Sequence, residues 1–440
     1  MGMLAAEPSL LWLLAFSLIG VLLGSATGII PGIHPNNVSL ILLSLLPALS
    51  HPLSAFLPAT HIPMLLASLL IAASITHTFL SFIPAAFVGA PEGDTALCVL
   101  PAHRLLLEGR AYEAVRLSAA GSFLALICSF LFLMPFKFFL SHMHFYEFIR
   151  AFMLYILIGI SLLLILTESF TEIMEPFEAI LASSAVFMLS GIFGMLILNF
   201  NLRSPFFNFS TNALFPALTG LFGLSTLLFS LAHTPEIPSQ QREEVSLELK
   251  AAFKSAAVGS ASGTLVSFLP GVTAAHATVL AMLLRKERSP EHVILTLSAV
   301  NTANAIFCLA TLFILMKARS GIALAIQEIM PIHAWNALIP PTELCFLLIS
   351  AIFAGVIAYF LTIFIGKNFA SLLERIPYKL FLLLTAISLV ALTFILSGML
   401  GILVLAVATS IGLLPIYAGV KRSNCMGVLL LPVIIFYMRL

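Results

Sequence analysis

Residues 20–32 read Gly20-Val-Leu-Leu-Gly24-Ser-Ala-Thr-Gly28-Ile-Ile-Pro31-Gly32, a ridge of glycines that ends in a Pro-Gly pair. The pattern returns in the second half as Gly259-Ser-Ala-Ser-Gly263-Thr-Leu-Val-Ser267-Phe-Leu-Pro270-Gly271. Both copies lie inside long apolar stretches. Each copy therefore predicts a membrane helix that is broken at its Pro-Gly pair.

Two interpretations of this duplicated pattern are open. In many secondary transporters, broken helices from two repeats meet near the middle of the membrane and bind the solute with exposed backbone. A row of small residues also lets helices pack closely without any binding function. Packing explains the glycines but not a Pro-Gly pair after both ridges, so the transporter interpretation is favoured. The residues predicted to shape the breaks are Gly24, Gly28, Pro31, Gly263 and Pro270.

The composition predicts an all-α, polytopic integral membrane protein. Of the 440 residues, 61% are hydrophobic and 9% are charged, and the mean hydropathy is +1.13. Apolar runs long enough to cross about 30 Å of hydrocarbon recur from end to end. The net charge of +1 gives no basis for nucleic-acid binding. Residues 1–10 contain no Lys or Arg, so we expect the first run to be a retained helix and not a cleaved signal.

The apolar runs divide the chain into two halves with the same plan, a broken helix followed by five spans. The first half has a broken helix over 9–50 and spans at 63–90, 117–140, 147–168, 176–200 and 211–232. The second has a broken helix over 251–284 and spans at 291–316, 341–366, 379–398, 399–419 and 425–438. We expect transmembrane repeat 1 at 1–232, a cytoplasmic polar linker at 233–250 and transmembrane repeat 2 at 251–440.

The number of crossings predicts that the two repeats are inverted. A broken helix that returns to its entry side adds no net crossing, so five spans place the second repeat upside down. Lysine and arginine accumulate on the cytoplasmic side of membrane proteins. With the N-terminus outside, 14 of the 20 lie inside. The six outside are Lys137, Arg150, Arg203, Lys317, Arg319 and Arg439.

The exposed backbone at each break is the first candidate binding site. Proline disfavours a helical conformation in the preceding residue, and glycine permits positive φ. The helix that follows offers free N–H groups and a positive dipole end to an anion. The predicted binding residues are Gly32, Asn36 and Asn37 at the first break and Gly271 and Thr273 at the second. The asparagines and the threonine are also plausible N-caps that need no ligand.

Histidines flank both breaks, although not at matching positions. His34 follows the first Pro-Gly pair and His276 follows the second. An imidazole binds an anion or carries a coupling proton. A buried imidazole also serves as a neutral hydrogen-bonding partner, and both roles stay open. We include His34 among the predicted binding residues.

A second polar cluster lies in the span after each broken helix. The first half has Thr76 and His77, and the second has Asn301, Thr302 and Asn304. Aligning the apolar runs places Thr76 opposite Asn301. Such residues face the interior of a bundle, either as contacts between helices or as ligands of a solute. Thr302 and Asn304 are also predicted oxygen ligands for sodium.

A polar stretch follows in the first half. Residues 91–94 read Pro-Glu-Gly-Asp, and Asp94 is the only aspartate in the chain. The stretch forms either a loop at the mouth of the site or a turn in which Asp94 caps the next helix. Pro101 follows, and then the sequence Gly109-Arg110-Ala111-Tyr112-Glu113-Ala114.

These residues resemble the permease (TctA) subunit of the tripartite tricarboxylate transporters. That family has a glycine ridge ending in Pro-Gly in each half, and it has Gly-Arg-Ala-x-Glu-Ala where this chain has residues 109–114. The resemblance covers most of the chain. It implies transport of citrate or a related carboxylate, driven by a cation gradient. It also implies a small membrane subunit and an extracytoplasmic solute-binding protein as partners.

The chain departs from the family pattern after the asparagine-bearing span. A Gly-Ile-Pro-Gly motif is expected there, and residues 312–321 read Leu-Phe-Ile-Leu-Met-Lys-Ala-Arg-Ser-Gly instead. The chain is also shorter than typical bacterial members. It is therefore similar to a divergent, short form of archaeal type.

Residues and resemblance together predict a multi-pass cell-membrane protein that is a secondary transporter of a di- or tricarboxylate. Sodium or a proton is the expected coupling ion, membrane lipid is a partner, and no cofactor is expected. One alternative is an intramembrane enzyme, but the chain has neither His-Glu-x-x-His nor Gly-x-Gly-Asp. The other is a structural or assembly membrane protein, which would not need two broken helices.

Overall fold

The computed structural model is an all-α membrane protein with one short β-hairpin among the residues it describes. The fold predicted from composition is confirmed. Strands β1 (Asn201–Arg203) and β2 (Ser210–Asn212) pair antiparallel. The described residues are 8–30, 39, 52–88, 99–143, 145–166, 168, 175–198, 200–206, 210–233, 238–241, 248–269, 274, 277–278, 281–282, 289–373, 375 and 377–439.

The helices follow the predicted spans closely. They are α1 (Leu10–Ile29), α2 (Ile62–Leu80), α3 (Phe82–Val88), α4 (Val99–Leu107), α5 (Ala111–His142), α6 (Phe145–Leu166), α7 (Pro176–Ile197), α8 (Leu214–Leu218), α9 (Ser225–Ala232), α10 (Leu249–Val266), α11 (Pro290–Leu315), α12 (Gly321–Ile329), α13 (Thr342–Leu373), α14 (Tyr378–Tyr417) and α15 (Gly427–Met438). A π-helical turn (Thr219–Leu224) joins α8 to α9, and a 3₁₀ turn (Arg422–Met426) precedes α15.

Nine helical segments in the described part of the chain are long and apolar enough to cross a membrane. They are Leu10–Ile29, Ile62–Phe87, Ala111–His142, Tyr146–Leu166, Pro176–Ile197, Leu214–Ala232, Pro290–Leu315, Thr342–Leu373 and Tyr378–Tyr417. The chain is therefore a multi-pass membrane protein. The short helix α15 is apolar but has only 12 residues.

α14 consists of two helices that meet at Gly398. This residue has φ 65° and ψ −161°, a conformation that favours glycine and interrupts the helix. Just before the break, the Ser204 hydroxyl donates to the carbonyl of Ile395 at 2.7 Å. After the break, Gly412 packs against the backbone of Leu221 in the π-helical turn. The predicted boundary between spans 379–398 and 399–419 coincides with Gly398.

The glycine ridge of α1 packs directly on α2. Gly20 faces the carbonyl of Leu69, and Gly28 faces Leu80 further along. Contacts that advance together along both helices mean that α1 and α2 run in the same direction. α2 therefore begins at the same end of the bundle as α1.

α10 packs on α11 in the same manner. Gly259 faces the carbonyl of Thr296, and Gly263 faces Val300 one turn later. These two helices also run in the same direction, so α11 begins at the same end of the bundle as α10. The two halves thus share one local arrangement, a glycine ridge packed on the next long helix.

α2 and α11 form the centre of the bundle. In their most apolar 18-residue windows, 94% and 83% of the residues are buried, against 22–67% in the other seven spans of the described chain. α11 also packs along α5, where the Ser298 hydroxyl donates to the Ser118 hydroxyl at 2.8 Å. The polar clusters predicted from the sequence therefore lie on the two central helices.

The bundle has two ends, which we name by what packs there. At the linker end α5 and α11 begin, and the Gln241 amide of the linker donates to the Gly109 carbonyl at 2.7 Å. At the α12 end α11 finishes, and the Trp335 amide after α12 donates to the Phe313 carbonyl at 2.8 Å.

Candidate functional site

Most residues of the two breaks lie outside the residues that the structure describes. They are Pro31, Gly32, His34, Asn36, Asn37, Pro270, Gly271, Thr273 and His276, together with Asp94. Their roles stay predictions. The described chain stops at Ile30, which has left the helix with φ −86° and ψ 110°, and at Leu269. The site is therefore described from the helices that flank the breaks.

In the first half, the predicted residues come together between α1 and α2. A Cβ added to Gly24 would lie only 2.9 Å from the Cβ of Thr76. Beside this contact, Nδ1 of His77 lies 3.1 Å from Oγ1 of Thr27. The Thr27 hydroxyl donates to the Leu23 carbonyl at 3.0 Å. Its oxygen can therefore accept a hydrogen bond from an N–H at Nδ1 of His77. The imidazole is 2% exposed and is held at the helix interface.

In the second half, Asn304 lies against the ridge of α10. A Cβ added to Gly263 would lie 3.1 Å from the backbone nitrogen of Asn304. Oδ1 of Asn304 accepts from the Cys308 thiol at 3.6 Å, and the same sulfur lies 3.5 Å from the Ser267 carbonyl oxygen. Asn301, one turn earlier, is buried.

The helix contacts show which residues of the two halves correspond. Gly24 faces the carbonyl of Ala73, and Gly263 faces the carbonyl of Val300. The ridges are therefore offset by 239 positions (263 − 24), whereas the helices on which they pack are offset by 227 (300 − 73). The sequence separation between ridge and contacted helix is thus 12 residues smaller in the second half.

With this offset, His77 in the first half is equivalent to Asn304 in the second half, and Thr76 is equivalent to Ala303. The expected alignment of Thr76 with Asn301 is therefore wrong by two residues. It followed the ends of the apolar runs, whereas the contacts between backbone and glycine determine the packing. Each half thus places one larger polar side chain at the same point of its ridge.

His77 and Asn304 lie at a similar depth. Each is near the middle of a 26-residue apolar stretch, Ile62–Phe87 for His77 and Pro290–Leu315 for Asn304. The ends of both glycine ridges are beside them. Each half therefore has a polar side chain near the level at which α1 or α10 ends.

Several buried hydroxyls on the two central helices lack a hydrogen-bond partner. A buried threonine in a helix commonly donates to the carbonyl four residues earlier, as Thr264 does to Ser260 at 2.7 Å. Four threonine hydroxyls have no partner among the described residues: Thr76, Thr296, Thr302 and Thr311. An unsatisfied buried polar group costs about 1–3 kcal/mol. In folded proteins such groups mark local strain, a functional role, or a bound water or ion.

The Gly-Arg-Ala-x-Glu-Ala sequence joins the two halves at the linker end. Arg110 forms a bidentate pair with Glu113, with two N–O distances of 2.7 Å. Its Nη2 also lies 2.9 Å from Oε1 of Glu291 at the start of α11. The hydrogen bond to Glu113 is the largest cause of a raised pKa of Arg110, which keeps the guanidinium charged.

The linker closes over the same sequence. Gly109 has φ 76°, and its carbonyl accepts from the linker amide of Gln241. The Ala111 amide donates to Oε1 of Gln240 at 3.0 Å. A pocket of about 210 Å³ lies alongside, lined by Glu113, Arg116, Leu117, Glu248, Ala251, Ala252, Ser289, Glu291, His292 and Leu295. α5, α10, α11 and the linker are thus joined by polar contacts at one end of the bundle.

Sequence reasoning missed the partners of the central polar residues. Cys308 stands four residues after Asn304, a helical spacing that could have indicated the contact. Thr27 is 50 residues from His77, and only the helix packing brings the two together. Glu291 is 181 residues from Arg110 and was unpredictable for the same reason.

Comparisons with known proteins identify the family of the chain. The model of the tripartite tricarboxylate transporter TctA family matches residues 14–427. An uncharacterized protein of Methanocaldococcus jannaschii is 32% identical over 437 residues, which cover 97% of this chain and 99% of the relative. No solved structure matches the chain. By the extent of these matches, the chain belongs to the TctA family of the tripartite tricarboxylate transporters.

Proposed function

We propose that this protein is the transport subunit that moves a small organic anion, a di- or tricarboxylate, with sodium or protons as the driving ion. The TctA family is a family of transporters. The observation that carries the proposal is the placement of His77 and Asn304 on the two most buried spans, beside the ends of the two glycine ridges. Polar side chains at such depth are costly and are usually kept for function.

The solute would lie between the two breaks. A helix that starts after each break, as the sequence predicts, would carry about half a positive charge, and its interaction with an anion would be worth up to about 2 kcal/mol in partly buried geometry. Two such ends do not hold a polycarboxylate tightly. A coupling cation in the same cavity supplies the missing attraction, with Thr302 and Asn304 as oxygen ligands for sodium. The binding of anion and cation is then mutually favourable, because linkage is reciprocal.

We also propose that the two repeats are inverted. α10 and α11 run parallel, and α11 runs parallel to α5, since Ser118 meets Ser298 while Arg110 meets Glu291. α13 runs opposite to α5, since Gly366 faces Val115 near the start of α5. Towards the end of α13, the ring centroid of Phe369 lies 6.0 Å from that of Phe87, which is in α3 just after the end of α2. These contacts support opposite directions for α1 and α10.

The partners follow from the family. Proteins of this family work in a tripartite system, and we propose a small membrane subunit and an extracytoplasmic solute-binding protein for this chain. The intramembrane enzyme and the structural protein are not favoured, because neither explains the matched His77 and Asn304.

Uptake by proteoliposomes tests the proposal. Radiolabelled citrate, succinate and malate would be offered with an inward sodium gradient, a proton gradient or neither. We expect gradient-dependent uptake of at least one, and we expect His77→Ala or Asn304→Ala to lower it about tenfold or more. Ser298→Ala is the matched control, because Ser298 is buried on α11 but bonds to α5.

Calorimetry of the same solutes on purified protein makes the outcome independent of partner subunits. Anion affinity that rises with sodium or with falling pH supports the coupled site. A protein that neither binds nor transports any of the three carboxylates contradicts the proposed function.

A further inference from the structure

Two cations lie against one tyrosine ring at the α12 end. Nζ of Lys317 is 4.7 Å from the ring centroid of Tyr146, and Cζ of Arg319 is 5.1 Å from it. Nη2 of Arg319 also donates to the Tyr146 hydroxyl at 2.6 Å. Tyr146 is 6% exposed, so its ring is a fixed platform on α6 rather than a mobile surface side chain.

Residues 317–319, which carry the two cations, lie between a helix end at Met316 and a helix start at Ser320. Met316 ends α11 with φ 54° and ψ 32°, and it is the one non-glycine residue with positive φ in the described chain. Such a conformation persists where the surroundings demand it, and it is enriched at functional sites. On the other side, the Ser320 hydroxyl accepts from the Ala323 amide and caps α12 at 3.1 Å.

Neither cation has a carboxylate partner among the described residues. The ion pairs there involve Arg104, Arg110, His333 and Lys421 as the cations. Nε of Arg319 is enclosed and has no acceptor in the described part of the chain. Contact with an aromatic ring stabilises a cation but does not neutralise its charge.

More positive charge gathers at this end. Arg150 follows Tyr146 by four residues, about one turn further along α6. Lys137 donates to the Ala337 carbonyl and lies 4.8 Å from the ring centroid of Trp335, again without a carboxylate among the described residues.

The position of these charges is unusual for a membrane protein. Lys137, Arg150, Lys317 and Arg319 are four of the six cations that the proposed topology puts outside, where lysine and arginine are normally depleted. Two of them, Lys317 and Arg319, lie within residues 312–321, where this chain lacks the Gly-Ile-Pro-Gly motif expected of the family. Because these outer cations lie together at one end of the bundle, we expect that they bind an anion.

We propose that Lys317 and Arg319 form an oxyanion-binding site on the Tyr146 platform, for a carboxylate or a phosphate group. Arginine presents a planar fork of N–H donors that matches either group, and Lys317 adds an exposed point charge. A carboxylate here would be the solute on its way to the centre, a case that rests on the proposed function. A phosphate would belong to an anionic lipid headgroup, and that case does not.

Binding of inorganic phosphate and of citrate to the full-length protein in non-ionic detergent tests the site by calorimetry. We expect Arg319→Gln to weaken binding of one or both anions about tenfold or more, the loss of a charged hydrogen-bond donor. Lys317→Gln tests the site with an exposed residue whose replacement does not threaten folding. Arg203→Gln, an exposed cation on β1, is the matched control and leaves the affinity unchanged.

A second arm distinguishes the lipid source. Thermal unfolding is compared in phosphatidylcholine vesicles with and without phosphatidylglycerol. A rise in the unfolding temperature that needs phosphatidylglycerol, Lys317 and Arg319 identifies a lipid headgroup. A wild-type protein that behaves like the variant carrying both Lys317→Gln and Arg319→Gln toward phosphate, citrate and phosphatidylglycerol overturns the proposal. Asn304→Ala separates this site from the central one, because oxyanion binding at Lys317 and Arg319 persists in that variant whether or not the protein transports carboxylates.

Discussion

The sharpest test of the duplicated helix packing is Gly263→Ala. A Cβ at this position would lie 2.5 Å from the Val300 carbonyl oxygen, 3.1 Å from the Asn304 amide nitrogen and 3.2 Å from the Cβ of Ala303. Ordinary contacts begin near 3.4 Å, so α10 and α11 must separate by about 0.9 Å (3.4 − 2.5). Overpacking of this kind costs about 1–3 kcal/mol.

The matched control is Gly159→Ala on α6, where an added Cβ meets no described atom within 4 Å. Alanine gains about 1 kcal/mol of helix propensity over glycine in either helix. This gain cancels when the two variants are compared. We therefore expect Gly263→Ala to be about 1–3 kcal/mol less stable than Gly159→Ala.

Unfolding in detergent, followed by circular dichroism as denaturant is added, measures this difference. Gly24→Ala provides the repeat of the experiment in the first half, because it meets the Ala73 carbonyl and the Thr76 side chain. We expect Gly24→Ala to resemble Gly263→Ala and not the control. Equal stabilities for Gly263→Ala and Gly159→Ala would refute the close approach of α10 and α11.

Three further predictions follow from the structure and the sequence. Arg110→Gln leaves the Glu113 carboxylate without its bidentate partner, so we expect a loss of about 1–3 kcal/mol, whereas Arg104→Gln, which breaks an exposed pair, costs less than about 0.5 kcal/mol in the same unfolding assay. In a cysteine-free background, Ser9→Cys and Lys250→Cys begin α1 and α10, and inverted repeats place them on opposite faces; labelling of both by an impermeant maleimide from one side contradicts inversion. Gly32→Leu should abolish uptake while the protein stays in the membrane, because leucine does not readily take positive φ; normal uptake would reduce the first break to a packing feature.

The architecture was largely predictable because it depends on local signals. Hydropathy determines where a chain crosses the membrane, and the spans expected at 147–168 and 176–200 correspond to α6 and α7 within three residues. The glycine spacing also predicted which face of α1 packs closely, since residues four apart share one side of a helix. Even the boundary inside α14 was visible, at Gly398.

The polar contacts were not predictable because they depend on how helices are placed against each other. A shift of two residues along α11 changes the partner of every side chain, and no apolar run contains that information. The pairing of His77 with Asn304 therefore appeared only with the glycine contacts. The possible role of Thr76 as a solute ligand also could not be judged from the sequence, because only the structure shows that its Cβ faces Gly24.

The two halves share a scaffold but differ in chemistry at corresponding points. In the first half, an imidazole meets a hydroxyl through His77 and Thr27. In the second half, Asn304 meets the thiol of Cys308. An imidazole is the side chain that most often carries a proton in proteins. Of these four groups only His77 has one, so His77 is the candidate carrier if protons are the coupling ion. Exchange of His77 for asparagine would then make the halves alike, remove the dependence of uptake on a proton gradient and leave binding of the anion in place. Proton-driven uptake that survives His77→Asn would assign the coupling to another group.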